Sequence, residues 1–302
     1  VRKYAVLAIA QIAVGAAAIF ARLALSGASP LAVAAARLVL ASLVLAFIAA
    51  IRRDASTSKR DMGILLAAGL ALALHFAGWI WSLEYTSVAV STLLVATTPI
   101  WTAIYDSAVR KRRLSIPAWA ALAFGMAGLV MIVGFNRARP PIAGHELLGD
   151  ALALTGAFAI GAYFMLVREV RSAYGTRTIV TRTYTWAAIV LVIGAAAARQ
   201  APPSLNDGVA WGGILAMAFV SQLMGHTALN SALRWFSPSA VAFTSLLEPV
   251  FAAVLAYIIF GEALTPVALG GAVLLLGAIG VFLREESGLE SERSSAGIGA
   301  VQ

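Results

Sequence analysis

Ser87-Val-Ala-Val-Ser-Thr-Leu-Leu-Val-Ala-Thr-Thr-Pro99 and Ser237-Pro-Ser-Ala-Val-Ala-Phe-Thr-Ser-Leu-Leu-Glu-Pro249 are one pattern written twice, 150 residues apart. Working outward, Leu83 pairs with Leu233 and Leu114-Ser115 with Leu264-Thr265 at the same offset. Further upstream the offset drifts slightly. Gly15-Ala16 and Arg22 match Gly161-Ala162 and Arg168, and Arg37 matches Arg182. Chance likeness between Ala/Leu-rich segments is the competing reading. Composition alone rarely repeats Pro, Arg and Ser together at a near-constant offset, and a long internal period is the mark of a duplicated architecture.

The two copies are written in apolar residues. The chain has 302 residues, 61% of them hydrophobic and 12% charged, against about 25% charged in a soluble domain. Runs of about 20 apolar residues match the length that crosses a hydrocarbon core of about 30 Å. Spans are predicted at 4–25, 31–51, 62–83, 87–108, 115–135, 147–168, 178–198, 209–230, 237–260 and 264–284. The breaks are plain: Ser26 to Pro30, Arg52 to Arg60, Arg110 to Arg113, Asn136 to Glu146 with Pro140-Pro141, Gln200 to Asp207, and Phe260-Gly261-Glu262. The run from Tyr4 to Leu25 is too long for a signal-peptide core and is read as the first span. Residues 1–284 then form one transmembrane domain, with repeat one over about 4–135 and repeat two over about 147–284. Residues 285–302 read as a polar, disordered cytoplasmic tail.

The net charge of +8 does not indicate nucleic acid, because the basic residues form no contiguous patch. They sit in alternate loops instead. One side collects Arg2, Lys3, Arg52, Arg53, Lys59, Arg60, Arg110 to Arg113, Arg168, Arg171, Arg177, Arg234, Arg284 and Arg293. The other has only Arg22, Arg137, Arg139 and Arg199. Both termini are therefore expected in the cytoplasm of a bacterial inner membrane, which requires an even number of spans. Five spans per half force the second half to be inverted, and in such folds substrate sites lie near the midplane, between the repeats. The fold expected is an all-α membrane protein of ten transmembrane helices in two inverted five-helix repeats.

The chain has no cysteine, so thiol catalysis, disulfides and Cys-based metal sites are excluded. It also carries no Walker, H-E-x-x-H or Ser-hydrolase motif. Neither enzymatic activity nor a cofactor or metal is expected.

Ten spans, duplicated halves, an early Arg in spans two and seven (Arg37, Arg182) and Leu246-Leu-Glu-Pro249 resemble the EamA branch of the drug/metabolite transporter superfamily over residues 4–284. His75, Trp79 and Trp101, two residues past Pro99, look most like the aromatic amino acid exporters within it. Thr98-Pro99 stands where the second copy has Glu248-Pro249, so the acid occurs once. The resemblance implies a transporter of small molecules in a lipid bilayer.

Several residues are candidates for the substrate site. Pro99 and Pro249 lack an N–H, so they break their helices and free the carbonyls of Val95 and Ser245, which then become possible acceptors for a substrate ammonium. Glu248 is an acid at mid-span, the kind of residue that marks an ion or substrate path or else bonds a neighbouring helix. His75 with Trp79, and Gln222, His226 and Asn230, each recur every four residues and so share a helix face. Such a face points to partners or water, either for transport or for helix packing. Trp101, Tyr163 and Phe251 lie deep in spans and suit an apolar or aromatic side chain, or ordinary packing. Trp81, Tyr85, Trp119 and Trp235 belong to interfacial belts. For a zwitterion, His75, Asn230 and the Trp79 indole would donate, and Ser245, Val95 and Glu248 would accept. Arg37 and Arg182 are read as structural.

Export of amino acids, aromatic and other neutral ones, is the leading expectation. Efflux of other metabolites or cationic drugs, and a scaffold or sensor without transport, are the alternatives. A monomer is the working expectation.

Overall fold

The computed structural model of the chain describes residues 2–52, 56–109, 111, 114–133, 144–260 and 265–299. Arg110, Arg112 and Arg113 of the basic cluster, the central link with Pro140-Pro141, and Gly261-Glu262 lie outside the described residues.

The described chain is all-helical. Its helices are α1 (Arg2–Ala24), α2 (Pro30–Ile51), α3 (Lys59–Tyr85), α4a (Val88–Val95), α4b (Thr98–Ala108), α5 (Ile116–Val133), α6 (Glu146–Val170), α7 (Thr176–Ala197), α8 (Gly208–Ala232), α9a (Pro238–Thr244), α9b (Glu248–Phe260) and α10 (Pro266–Gly299). Their starts follow from the sequence. Ser58, Ser87, Asp207 and Ser237 each cap a helix by accepting the N–H three residues on, satisfying one of the otherwise orphaned donors. Ser87 and Ser237 are equivalent in the duplication, so the repeat encodes the same cap twice.

Among the described residues, seven helices are long and apolar enough to cross a membrane, and Ile116–Ile132 is a shorter apolar helix. Two predicted spans, 87–108 and 237–260, are not continuous helices. The first is interrupted at Ala96–Thr97, and the second passes through a 3-10 turn at Ser245–Leu247. The cause is the same in both: Pro99 and Pro249 cannot donate to the preceding turn. Exposed Leu43, Phe47, Ile193 and Val273 present apolar surface outward, while Gln11, Arg37, His75, Gln222, His226 and Asn230 are buried. This reversal of the soluble pattern suits a lipid surround.

The packing repeats the duplication. α3 packs on α6 as α8 packs on α1, and α2 on α7, α5 on α10 and α4b on α9a. Exchanging the halves maps the α3–α6 pairing onto α8–α1 and returns α2–α7 and α5–α10 to themselves. Close approach depends on glycine. A Cβ on Gly78 would meet the Leu152 carbonyl at 2.6 Å, and one on Gly128 would meet the Gly271 carbonyl at 2.6 Å. Small residues at such crossings let backbones touch and dispersion forces add up.

The loops segregate into two sets. Arg177 donates to the Arg52 carbonyl, and the Tyr174 hydroxyl to Asp61. Arg168 donates to the Leu233 carbonyl, Ser239 to Asp106 and Ser115 to Glu285. In the other set, the Leu31 amide donates to Gln200, the Ser29 amide to Ala201, and the Tyr85 and His145 rings meet edge to face. Each contact joins segments that the Lys/Arg count assigns to the same side. Beyond Arg284, α10 remains helical to Gly299, where composition predicts a disordered tail. Its Leu, Glu, Arg and Ala are strong helix formers, and the carboxylates of Glu285 and Glu286 tie its base to Ser115 and the Ser237 amide.

Candidate functional site

The breaks in α4 and α9 open onto a cavity between the two repeats. Repeat one lines it with Val14, Gly15, Ala17 and Ala18 of α1, His75 and Trp79 of α3, and Thr92, Val95, Ala96 and Thr98 around the α4 break. Repeat two adds Ile160 and Phe164 of α6, His226 and Leu229 of α8, and Ser245, Glu248 and Pro249 at the α9 break. The cavity offers about 60 Å³ to the centres of water-sized molecules, room for several waters.

His75 is buried and hydrogen-bonds the Gly156 carbonyl through Nδ1 at 2.9 Å. A carbonyl only accepts, so Nδ1 carries a proton, and when that is the ring's single proton Nε2 is an acceptor. The Nδ1 donor expected of His75 is thus taken up by the α6 backbone. Trp79 stacks beside it, with centroids 6.4 Å apart and planes within 10°. α3 can present both because Gly156 lets the α6 backbone reach His75 and Trp79.

The helix breaks differ from expectation. The Val95 carbonyl freed by Pro99 accepts the Thr98 hydroxyl at 2.7 Å. The Ser245 carbonyl accepts the Glu248 N–H in a 3-10 turn. Each is satisfied within its own helix and keeps only its second lone pair for a ligand. The reason is local, since a threonine next to the proline and a tightened turn are the cheapest partners in a dry interior. Glu248 lies in the first turn of α9b and, with Ser245, lines the cavity.

Tyr163, Gln222 and Asn230 are drawn into a buried network instead of lining the cavity. The Tyr163 hydroxyl donates to Asn230 Oδ1 at 2.8 Å, and Asn230 Nδ2 donates to the His226 carbonyl at 2.8 Å. Asn230 thus commits its oxygen and one of its two amide hydrogens inside this network. Gln222 Oε1 accepts from Arg37 Nη2 at 2.7 Å, so Arg37 does bridge the repeats, while Arg182 is half-buried. Pro99 is buried in α4b and does not line the cavity. Phe251 packs against Gly15 of α1. Trp101 lies elsewhere, 37% exposed, in a lateral groove of about 240 Å³ with Tyr105, Phe158, Leu166 and Glu169. Its indole donates to Thr97. The break at Ala96–Thr97 rotates α4b so that a position two residues past Pro99 faces outward.

No pattern in the sequence singles out Gln11. It is fully buried, and its amide donates to the Thr244 hydroxyl at 2.9 Å, tying α1 to the residue before the α9 break. The only signal was a lone amide in an apolar run. Ser221, donating to the Ala13 carbonyl, is a second tie of the same kind. The stretch Met217–His226 of α8 is a π-helix, a form that concentrates at functional sites and that no sequence period announced.

This chain is similar to an uncharacterized transporter of Archaeoglobus fulgidus, 24% identical over 227 residues, covering 73% of this chain and 78% of the relative. A solved crystal structure superposes with a TM-score of 0.78 at 14% identity, over 96% of this chain and 99% of the other, a likeness of fold. The sequence pattern of the EamA-like transporter family matches twice, at residues 2–134 and 147–284. The two matches are the two copies seen in the sequence, and this multi-pass membrane protein belongs to the EamA-like transporter family.

Proposed function

We propose that this chain is a secondary transporter exporting small metabolites, amino acids foremost, by alternating access of two inverted five-helix repeats around the central cavity. Ten spans, with both termini in the cytoplasm of a bacterial inner membrane, complete the reading. The observation that carries it is the cavity itself, lined by both repeats and reached from the paired breaks in α4 and α9. A site shared between repeats is exposed to each side in turn when one rocks against the other. The segregation of loop contacts into two sets supports the alternating topology. For an amino acid, His75 Nε2, Glu248 and the second lone pair of the Ser245 carbonyl would accept from the ammonium. Trp79 and Phe164 would pack an aromatic or branched side chain.

A second reading, export of organic cations, draws on the same Glu248 and Trp79. The test is efflux of labelled phenylalanine, leucine, threonine and an organic cation from proteoliposomes, with and without an imposed pH gradient. Amino acid flux above protein-free vesicles is expected. Flux of the cation alone would favour the second reading, and folded protein that moves neither would overturn both.

A further inference from the structure

We propose that Arg37, Gln222 and His226 hold a small monovalent anion, a carboxylate or chloride, in a buried subsite beside the cavity. Arg37 projects from α2 with no exposed surface. Its Nη2 donates to Gln222 Oε1 at 2.7 Å, but its Nε and Nη1 have no hydrogen-bond partner. Gln222, also fully buried, has no partner for Nε2, and the buried His226 has none for Nδ1. The four orphaned atoms belong to one cluster. The guanidinium carbon lies 4.0 Å from the centroid of the Phe76 ring. The His226 ring meets that same ring edge to face at 5.2 Å. Gln222 and His226 stand four apart on the π-helical stretch of α8, close to one turn of that wider helix. His226 is also a cavity wall, so the cluster adjoins the solute path.

Charge argues for an anion. A guanidinium deep in a membrane protein normally faces a carboxylate or a line of carbonyls. Among the described residues, Arg37 forms no ion pair; its polar contact is the neutral amide of Gln222. The Phe76 face offsets part of the missing hydration through its quadrupole. Buried donors left unmade are costly, and three of them around one cation call for a ligand of opposite charge. Nη1 and the second hydrogen of Nη2 form one edge of the planar guanidinium, a fork that matches a carboxylate well. Gln222 Nε2 would supply a third donor, and His226 a fourth with its proton on Nδ1. The carboxylate occupant rests on the transport reading above; the chloride occupant does not.

The test is the thermal unfolding midpoint of the full chain, purified in lipid nanodiscs at constant ionic strength in a HEPES buffer. Chloride is titrated in one arm, and leucine, with leucinamide as its carboxylate-free control, in another. A saturable rise in the midpoint is expected for wild type. Chloride alone raising it identifies a resident ion; leucine but not leucinamide raising it identifies the solute carboxylate. Arg37→Gln should weaken the apparent affinity at least about ten-fold, as removal of a charged hydrogen-bond partner does. Gln222→Glu places an anion beside Arg37 in the same volume and should fold without responding to either ligand. This second variant carries the test if Arg37→Gln does not fold. A wild type indifferent to both arms, or a Gln222→Glu variant that still responds like wild type, overturns the proposal. Binding with no amino acid flux would leave the subsite standing and refute the transport substrate instead.

Discussion

Substituting Gly78 by Ala tests whether the α3–α6 crossing sets the cavity. A Cβ there would lie 2.6 Å from the Leu152 carbonyl and 3.1 Å from the Gly156 N, where ordinary contact begins at 3.4 Å. Both neighbours are backbone and cannot rotate away, so α3 and α6 must part by about 0.8 Å. That shift stretches the 2.9 Å bond from His75 to Gly156 to a length at which it no longer counts as a hydrogen bond. Overpacking costs roughly 1–3 kcal/mol, and the lost bond adds about 1 kcal/mol. Alanine's helix propensity returns about 1 kcal/mol of this, leaving a net loss of roughly 1–3 kcal/mol. The matched control is Gly277→Ala on α10, where a Cβ meets nothing within 4 Å and only the propensity gain applies. Equilibrium unfolding by SDS in mixed micelles would read both. Transport should fall in Gly78→Ala because His75 is freed to turn, and stay normal in Gly277→Ala. A Gly78→Ala protein as stable as wild type would show that the crossing has slack and that glycine is not what places His75.

Three further outcomes are expected. Tyr163→Phe should lower stability by about 1–3 kcal/mol, since Asn230 Oδ1 loses its buried donor, while substrate affinity is unchanged; a large affinity loss would put Tyr163 back in the substrate path. In this cysteine-free chain, Trp79→Cys and Thr92→Cys should react with a water-soluble thiol reagent and be protected by substrate, whereas Trp101→Cys, in the outer groove, should be shielded by lipid; labelling at 101 alone would invert the placement of the cavity. Glu248→Gln should keep exchange of internal for external substrate, because the amide still hydrogen-bonds; comparing flux with and without a pH gradient shows whether accumulation, if wild type has any, depends on that carboxyl.

The membrane class and the duplication were legible in the sequence, because each depends on local composition or on a pattern laid along the chain. Long apolar runs satisfy a hydrocarbon solvent wherever they pack, and the pair Ser87–Pro99 and Ser237–Pro249 carries its own caps and helix breaks. The prolines marked where α4 and α9 break, though not that Thr98 and the Glu248 amide would take up the freed carbonyls at once.

Which polar groups remain available for a ligand was decided by the tertiary structure alone. His75 and Trp79, read as one helix face, do meet His226 and Glu248 around a cavity. Asn230, read as part of another such face, instead accepts from Tyr163, a deep aromatic 67 residues away. Gln222 is engaged by Arg37 from 185 residues away, and Gln11 by Thr244 from 233. A helical period tells which residues share a face; it does not tell what the facing helix brings, and one partner suffices to turn a candidate ligand group into a structural tie. Trp101 shows the same limit in backbone form. Its spacing from Pro99 was plain in the sequence, but the direction it faces depends on how far the broken helix turns, and the packing of α4b against α6 and α9a sets that turn.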